Sequence, residues 1–215
     1  GATRERDGYE LTYSAAGLST FPGAPPGVAV LILSHLYGVD PTSADSLTRA
    51  AIEGRRQIFR AVECLKRSGE PAFARLCVLL TGPFIAIREG RRIHGLYTVT
   101  EHDAREGRVF DDGVCEVTFN FDVHHVSPDE GRSYWYEAVP PYHIPYRSLV
   151  ARDVDNLLLA GRCISGDFVA HSSYRVVGDA VPLGEVAGAA AGVACRRSIP
   201  VAEVDPREVS QIVPK

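Results

Sequence analysis

The clearest periodicity along the chain is helical. Between Ser43 and Ser68, residues Leu47, Ala51, Ile58, Ala61, Val62 and Leu65 fall on one stripe, charged residues occupy the rest, and Gly69 stands where such a helix would stop. Upstream, Val28-Ala29-Val30-Leu31-Ile32-Leu33 reads as a buried strand, with a helix as the alternative. After Glu70-Pro71 an apolar run extends to Leu80, and the β-branched and aromatic content of Phe84-Ile85-Ala86-Ile87-Arg88 predicts a strand, followed by a second over Arg92 to Val99. Thr100-Glu101-His102-Asp103 has the form of a capping box and Gly107 that of a stop, which predicts a short, exposed helix between them.

Period-two alternation returns from Val114 to Val123, and the aromatic run Tyr134-Trp135-Tyr136 completes a hairpin across the turn Ser127-Pro128-Asp129-Glu130-Gly131. Prolines make Ala138 to Arg147 extended or turning, and Leu157-Leu158-Leu159-Ala160, which ends at Gly161, reads as a fully buried strand. From Asp179 to Arg197 the residues are small and apolar, with Gly184, Gly188 and Gly192 on one helical face. Each glycine costs a helix about 0.8–1 kcal/mol relative to Ala, so close approach of another element to that face is expected. Asp205-Pro206-Arg207-Glu208 starts a short last helix.

Composition narrows the function classes. A chain of 215 residues with 45% hydrophobic and 23% charged residues is in the globular range, large enough for one large domain or two small ones. A net charge of -4, with basic residues scattered, gives no general attraction to a phosphate backbone, so nucleic acid is not an expected partner. The longest strongly apolar stretch, Val186 to Cys195, is too short for a membrane span, and the charged start Gly1-Ala2-Thr3-Arg4-Glu5-Arg6-Asp7 lacks the core of a secretion signal. A cytoplasmic location without a membrane span is the resulting expectation. Cys64, Cys77, Cys115, Cys163 and Cys195 are far apart in sequence, which predicts reduced, mostly buried thiols rather than a zinc knuckle or a disulfide framework.

Four further stretches carry a family resemblance. They are Tyr142 to Val150, Val154 to Ser165 and Ser173 to Val176, followed by Leu183-Gly184-Glu185-Val186-Ala187-Gly188. Together they resemble the C-terminal region of FAD-dependent oxidoreductases of the glutathione-reductase and fumarate-reductase type. Arg88 to Ile93, Tyr97 to Glu101 and Phe110 to Asp112 resemble the substrate-side region of the same family. The resemblance implies that the strand before Gly161 belongs to a flavin domain and that the small-residue helix aims its N-terminus at the isoalloxazine ring. Negative charge builds on a reduced flavin near N1 and the C2 carbonyl, and a helix N-terminus offers unpaired N–H groups there.

FAD is therefore the implied cofactor, with Gly161, Arg162, Ser165, Gly178, Asp179, Leu183 and Gly184 as its expected contacts. No GxGxxG motif follows an early strand, so the phosphate-binding half of the cofactor site is expected from a missing N-terminal segment, and the chain reads as the second part of a longer enzyme. Val177-Gly178-Asp179-Ala180-Val181-Pro182 departs from the family's usual pattern with Pro and Met.

Arg88, Arg92 and Arg175 are candidates to grip an anionic or carbonyl substrate, because arginine stays charged and presents planar donors. The alternative for Arg88 and Arg92 is a solvated basic turn, and for Arg175 a pairing with Asp167 or Asp179. His143 and His171 are candidate proton carriers. Asp122, His124 and His125 form a possible metal set, but adjacent histidines on a strand point to opposite faces, so no metal site is predicted. Nor does Cys163 have a neighbouring base that would make it a nucleophile.

The expected fold is α+β: a substrate-binding domain over residues 1–150, with an antiparallel sheet and one long helix, joined to a partial α/β FAD-binding domain over 151–215. The expected function is hydride transfer between a small organic substrate and flavin in the parent enzyme, with the chain alone inactive. A cofactor-free binding domain that keeps the fold is the alternative, and a metal-assisted hydrolase ranks last. Exposed apolar surface on an incomplete domain predicts pairing with the missing segment or with another copy of the chain.

Overall fold

A computed structural model describes residues 17–32, 34–124 and 134–213. His125, Leu33, the N-terminal charged segment and the 127–131 turn lie outside the described residues. The fold is α+β, as expected, and it separates into two compact units. One comprises described residues 17–87 with Tyr134, the other 88–124 with 135–213.

In the first unit, β1 (Gly17–Ser19) pairs antiparallel with β2 (Val30–Ile32), and α1 spans Ala44–Arg67. Helix α1 is bounded as its sequence dictates. The Ser43 hydroxyl accepts from the Ser46 N–H at 3.3 Å, Asp45 is in the first turn, Lys66 and Arg67 are in the last, and Gly69 follows at φ 82. Two expectations here are corrected. Strand β2 is exposed rather than buried, with Val30 and Ile32 open on its surface. Residues 84–88 form no strand, and Phe84 is 88% exposed.

The second unit is built around one hydrophobic core. Helix α2 (Glu101–Arg105) starts at a reciprocal capping box between Thr100 and Asp103 and ends at Gly107, as predicted. It is short but not wholly exposed, since Asp103 and Ala104 are buried. The alternating run from Val114 to Val123 is broken at 118–120 into β3 (Gly113–Val117) and β4 (Phe121–His124). Strand β4 pairs with β5 (Tyr134–Glu137). Strand β3 turns to a different partner, pairing antiparallel with β6 (Tyr142–Pro145), so the proline-rich stretch expected to be merely extended completes a sheet. Pro145 is tolerated because it closes the strand.

The expected strands over 92–99 and 157–160 are reduced to isolated bridges, Gly95 with Ala151, Val99 with Gly166 and Val150 with Leu158. Leu157 is half exposed, so 157–160 is not a buried strand. Its pairing with 149–151 is confined to the Leu159 N–H on the Leu149 carbonyl and the Ala151 N–H on the Leu157 carbonyl.

Helices α3 (Phe168–Tyr174), α4 (Val177–Arg197) and α5 (Pro206–Ser210) complete the unit. Leu183, Val186, Ala190, Val193 and Ala194 on α4 join Val117, Ile144, Tyr146, Tyr174 and Val209 in the core. This core unites residues on both sides of position 150, so the compact units divide the chain differently from the domains expected at that boundary. Gly184 and Gly188 point away from the core, where a Cβ would meet nothing within 4 Å. The close neighbour expected against the glycine face is thus not supplied by the described residues. Among them, no single helix is long and apolar enough to cross a membrane.

None of the five cysteines, all among the described residues, forms a disulfide. Only Cys64 and Cys115 are buried, which corrects the expectation of mostly buried thiols.

Candidate active site

Helix α3 and the residues that follow it bring most of the predicted chemistry together. Asp167 caps α3, its carboxylate accepting from the Ala170 N–H at 2.8 Å, while its other oxygen accepts from the Glu101 N–H at 2.6 Å. That cap fixes the start of the helix, and His171 and Arg175 then lie four residues apart on one face. Gly166, just before it, is required by a close approach. A Cβ at that position would overlap the Tyr174 hydroxyl.

His171 Nδ1 lies 3.2 Å from Glu89 Oε1, and Arg175 Nη1 lies 2.6 Å from the same oxygen. Arg92 Nη1 donates to Glu89 Oε2 at 2.9 Å. Arg175 Nη2 donates to the Asp122 backbone carbonyl and lies 3.9 Å from its carboxylate. Asp122 in turn accepts from Arg88 Nη1 at 3.1 Å and has His124 Nε2 3.1 Å away. Arg88, Arg92, His171 and Arg175 therefore belong to one cluster. Glu89 and Asp122 organise it.

Arg175 does not pair with Asp167 or Asp179, the partners that its sequence neighbours suggested. Arg88 and Arg92 are engaged by carboxylates rather than forming a solvated basic turn. His143 stands apart on β6. Its Nε2 is 4.0 Å from Glu116, and its ring covers Gly113.

Burial would push the Glu89 carboxyl up, but the hydrogen bond and charge of His171, with Arg175 and Arg92, outweigh it and bring Glu89 down to about 2. Asp122 is lowered in the same way, burial being outweighed by His124, Arg88 and Arg175. Arg175 is itself lowered, because its burial costs more than the two carboxylates return. The two sides of this ion pair thus shift in ways that do not mirror each other. Several cations converge on Glu89 and hold it ionised, and the ordinary arginine pKa leaves Arg175 charged at neutral pH.

The cluster ends where α4 begins. Helices α3 and α4 meet at 91°, with Arg175 immediately before Val176, the N-cap of α4. No side chain caps α4, Val177 is 78% exposed, and Gly178 has open space where a Cβ would stand. The Asp179 N–H bonds the Val176 carbonyl, whereas the N–H groups of the exposed residues Val177 and Gly178 are open to an external acceptor.

The turn Gly161–Cys163 lies against this end. Gly161 adopts φ 65, and a Cβ there would come within 3.3 Å of Ala180 Cβ. Arg162 is exposed, whereas Ser165 is buried with its hydroxyl 2.9 Å from that of Thr98. Asp179, in the first turn of α4, is buried and pushed up to about 6 by that burial, and its Oδ2 has no hydrogen-bond partner. Leu183 faces the core and Gly184 the open side.

These features fit the ring-facing half of a flavin site: an uncapped helix end, a glycine that leaves room beside it, and a tight turn packed against it. A GxGxxG phosphate cradle does not occur in the sequence. Among the described residues, no group of three or more His, Cys, Asp or Glu side chains could hold a metal ion, and His125 of the possible metal set lies outside them.

The sequence points to the cationic residues but not to Glu89 as the common partner of Arg92, His171 and Arg175. The only local signal was its place within Arg88-Glu89-Gly90-Arg91-Arg92. It also did not foresee the perturbed titration of Asp179, which depends on burial.

Comparisons with curated proteins and with solved structures return no significant match. The sequence profile of one family, described as FAD dependent oxidoreductase, matches residues 2–213. The likeness first visible in the segments around Gly161 and α4 thus extends over nearly the whole sequence, and the chain belongs to the FAD dependent oxidoreductase family.

Proposed function

We propose that the chain forms the substrate-side and ring-facing part of an enzyme that moves hydride between a small anionic organic substrate and FAD. The observation that carries this reading is the corner between α3 and α4, where the Arg and His cluster adjoins an uncapped, exposed helix N-terminus. When bound, FAD supplies the two-electron chemistry. The Val177 and Gly178 N–H groups would hold the pyrimidine end of the ring, and the Gly161 turn would fix its edge.

Arg88, Arg92 and Arg175 bind and orient the substrate. Three guanidinium groups against two carboxylates leave this cluster an excess of positive charge before either histidine is counted. His171, buried on α3, holds or releases a proton at Nδ1, and Asp179 does so at a carboxyl oxygen. The phosphate-binding segment would come from chain beyond these residues or from another subunit.

The test is the intact mass and visible absorbance of the protein expressed from its own gene. The expected result is a longer chain with a flavin spectrum that survives gel filtration. A protein that stays colourless at excess FAD, whatever its length, would favour a cofactor-free binding domain instead.

A further inference from the structure

Glu89 is gripped in the manner of a ligand. Three donors converge on its two carboxylate oxygens, His171 and Arg175 on one and Arg92 on the other. Two of these donors are held firmly. His171 and Arg175 have side chains only 1% and 5% exposed, on a helix whose first turn is tied by Asp167.

The carboxylate is held differently. Glu89 is the more exposed partner and lies in a stretch, residues 83–94, without helix or strand. On the C-terminal side the stretch is anchored by the Ile93 N–H on the Cys163 carbonyl and the Arg152 N–H on the His94 carbonyl, beyond Glu89 in the chain. Withdrawal of Glu89 therefore opens the cradle without unwinding α3.

We propose that Arg92, His171 and Arg175 form a carboxylate-binding site that Glu89 fills as an internal ligand, and that a small carboxylate substrate enters by displacing it. This rests on the reading that the cluster is the substrate site, and it assigns the substrate class. The exchange conserves charge, since one carboxylate replaces another and no buried cation is left unpaired. Glu89 stays ionised throughout the physiological range, so competition rather than protonation releases it. A tethered competitor acts at an effective concentration on the order of millimolar, so a free carboxylate must overcome that handicap in the native protein.

The experiment is calorimetric titration of succinate, without FAD, into the native protein, Glu89→Ala and Glu89→Gln, with circular dichroism and thermal melting as controls for folding. Succinate is expected to bind the folded variants at least about tenfold more tightly than the native protein, and to raise their melting temperatures. Succinamide should do neither. Combining Arg175→Lys with Glu89→Gln should abolish the gain, because lysine cannot reproduce the planar fork.

Folded variants with unchanged or weaker succinate binding, or two variants that both fail to fold, would overturn the proposal and make Glu89 a structural partner. A gain in succinate affinity in a protein that never binds FAD would keep the internal ligand and remove the flavin reading. FAD binding without that gain would do the reverse.

Discussion

The two compact units differ in how far they satisfy their own apolar residues. Every member of the hydrophobic core cluster lies between Val99 and Val209, within the second unit. In the first, the buried apolar side chains among the described residues are Ala50, Ala61, Val62 and Cys64, all on α1, while Leu79, Leu80 and Phe84 are widely exposed. One unit closes around a core and the other rests largely on one amphipathic helix. Order that depends on tertiary contacts should therefore be concentrated in the second unit, and order that depends on local capping should dominate the first.

The largest effect expected from this contrast is at Leu183, which is fully buried in the core. Leu183→Ala should lower stability by about 2–5 kcal/mol, since it removes the transfer energy of a leucine and leaves a cavity. Leu80→Ala, at a position 86% exposed, should change it by less than about 0.5 kcal/mol. Urea unfolding of the two variants measures both. Similar losses at the two positions would erase the distinction between the units.

Asp179 sharpens the contrast through pH. Burial raises its folded pKa to about 6, whereas an unfolded aspartate titrates near about 3.9. Since the folded value is the higher, folding favours the protonated form. Its contribution is fully present below about pH 4 and is lost as pH rises through about 6. Asp179→Asn should therefore stabilise the protein by about 1–2 kcal/mol at pH 7 and flatten the pH dependence of stability between those limits. Melting curves across that range decide it. A variant no more stable than the native protein at neutral pH would mean that the carboxylate is solvated or paired when ionised.

In the first unit the corresponding lever is local. Ser43→Ala removes the side-chain acceptor for the Ser46 N–H and should cost about 1 kcal/mol, read as a fall in far-ultraviolet helix signal at intermediate urea. A loss as large as that at Leu183 would show α1 to be embedded in a cooperative core after all.

The same division explains what the sequence discloses. Helices α1, α2 and α5 carry their own start signals in Ser43, Thr100 with Asp103, and Asp205 with Pro206, and all three were legible. Strands need partners that local pattern does not name. The β3–β6 pairing joins an alternating run to a stretch whose prolines argued against a sheet, and the apolar residues at 84–88 have strand composition but form no strand.

The candidate site divides in a similar way. Arg88, Arg92, His171 and Arg175 were recognisable by residue type and resemblance, but the convergence of His171 and Arg175 with Arg92 on Glu89 joins positions more than eighty residues apart. The exposure of Cys163 likewise depends on how the Gly161 turn meets α4, not on the sequence around it.

Helix α4 carries the smallest effect and the one whose sign is most informative. Its inner face, from Leu183 to Ala194, obeys the rules of the core, while its glycine face breaks the rules of helix composition with no contact in the described structure to explain it. Gly188→Ala adds a methyl group into open space and restricts the unfolded chain, so it should raise the stability of the 215-residue protein by about 0.4–1 kcal/mol. Were a further segment or subunit to cover this face in an assembled flavoprotein, the same methyl group should lower flavin retention even as it raises the stability of the chain alone. Destabilisation of the chain alone, measured by thermal melting, would mean that the glycine face is already covered in solution, with α4 closed on both sides in the way that the second unit closes its core.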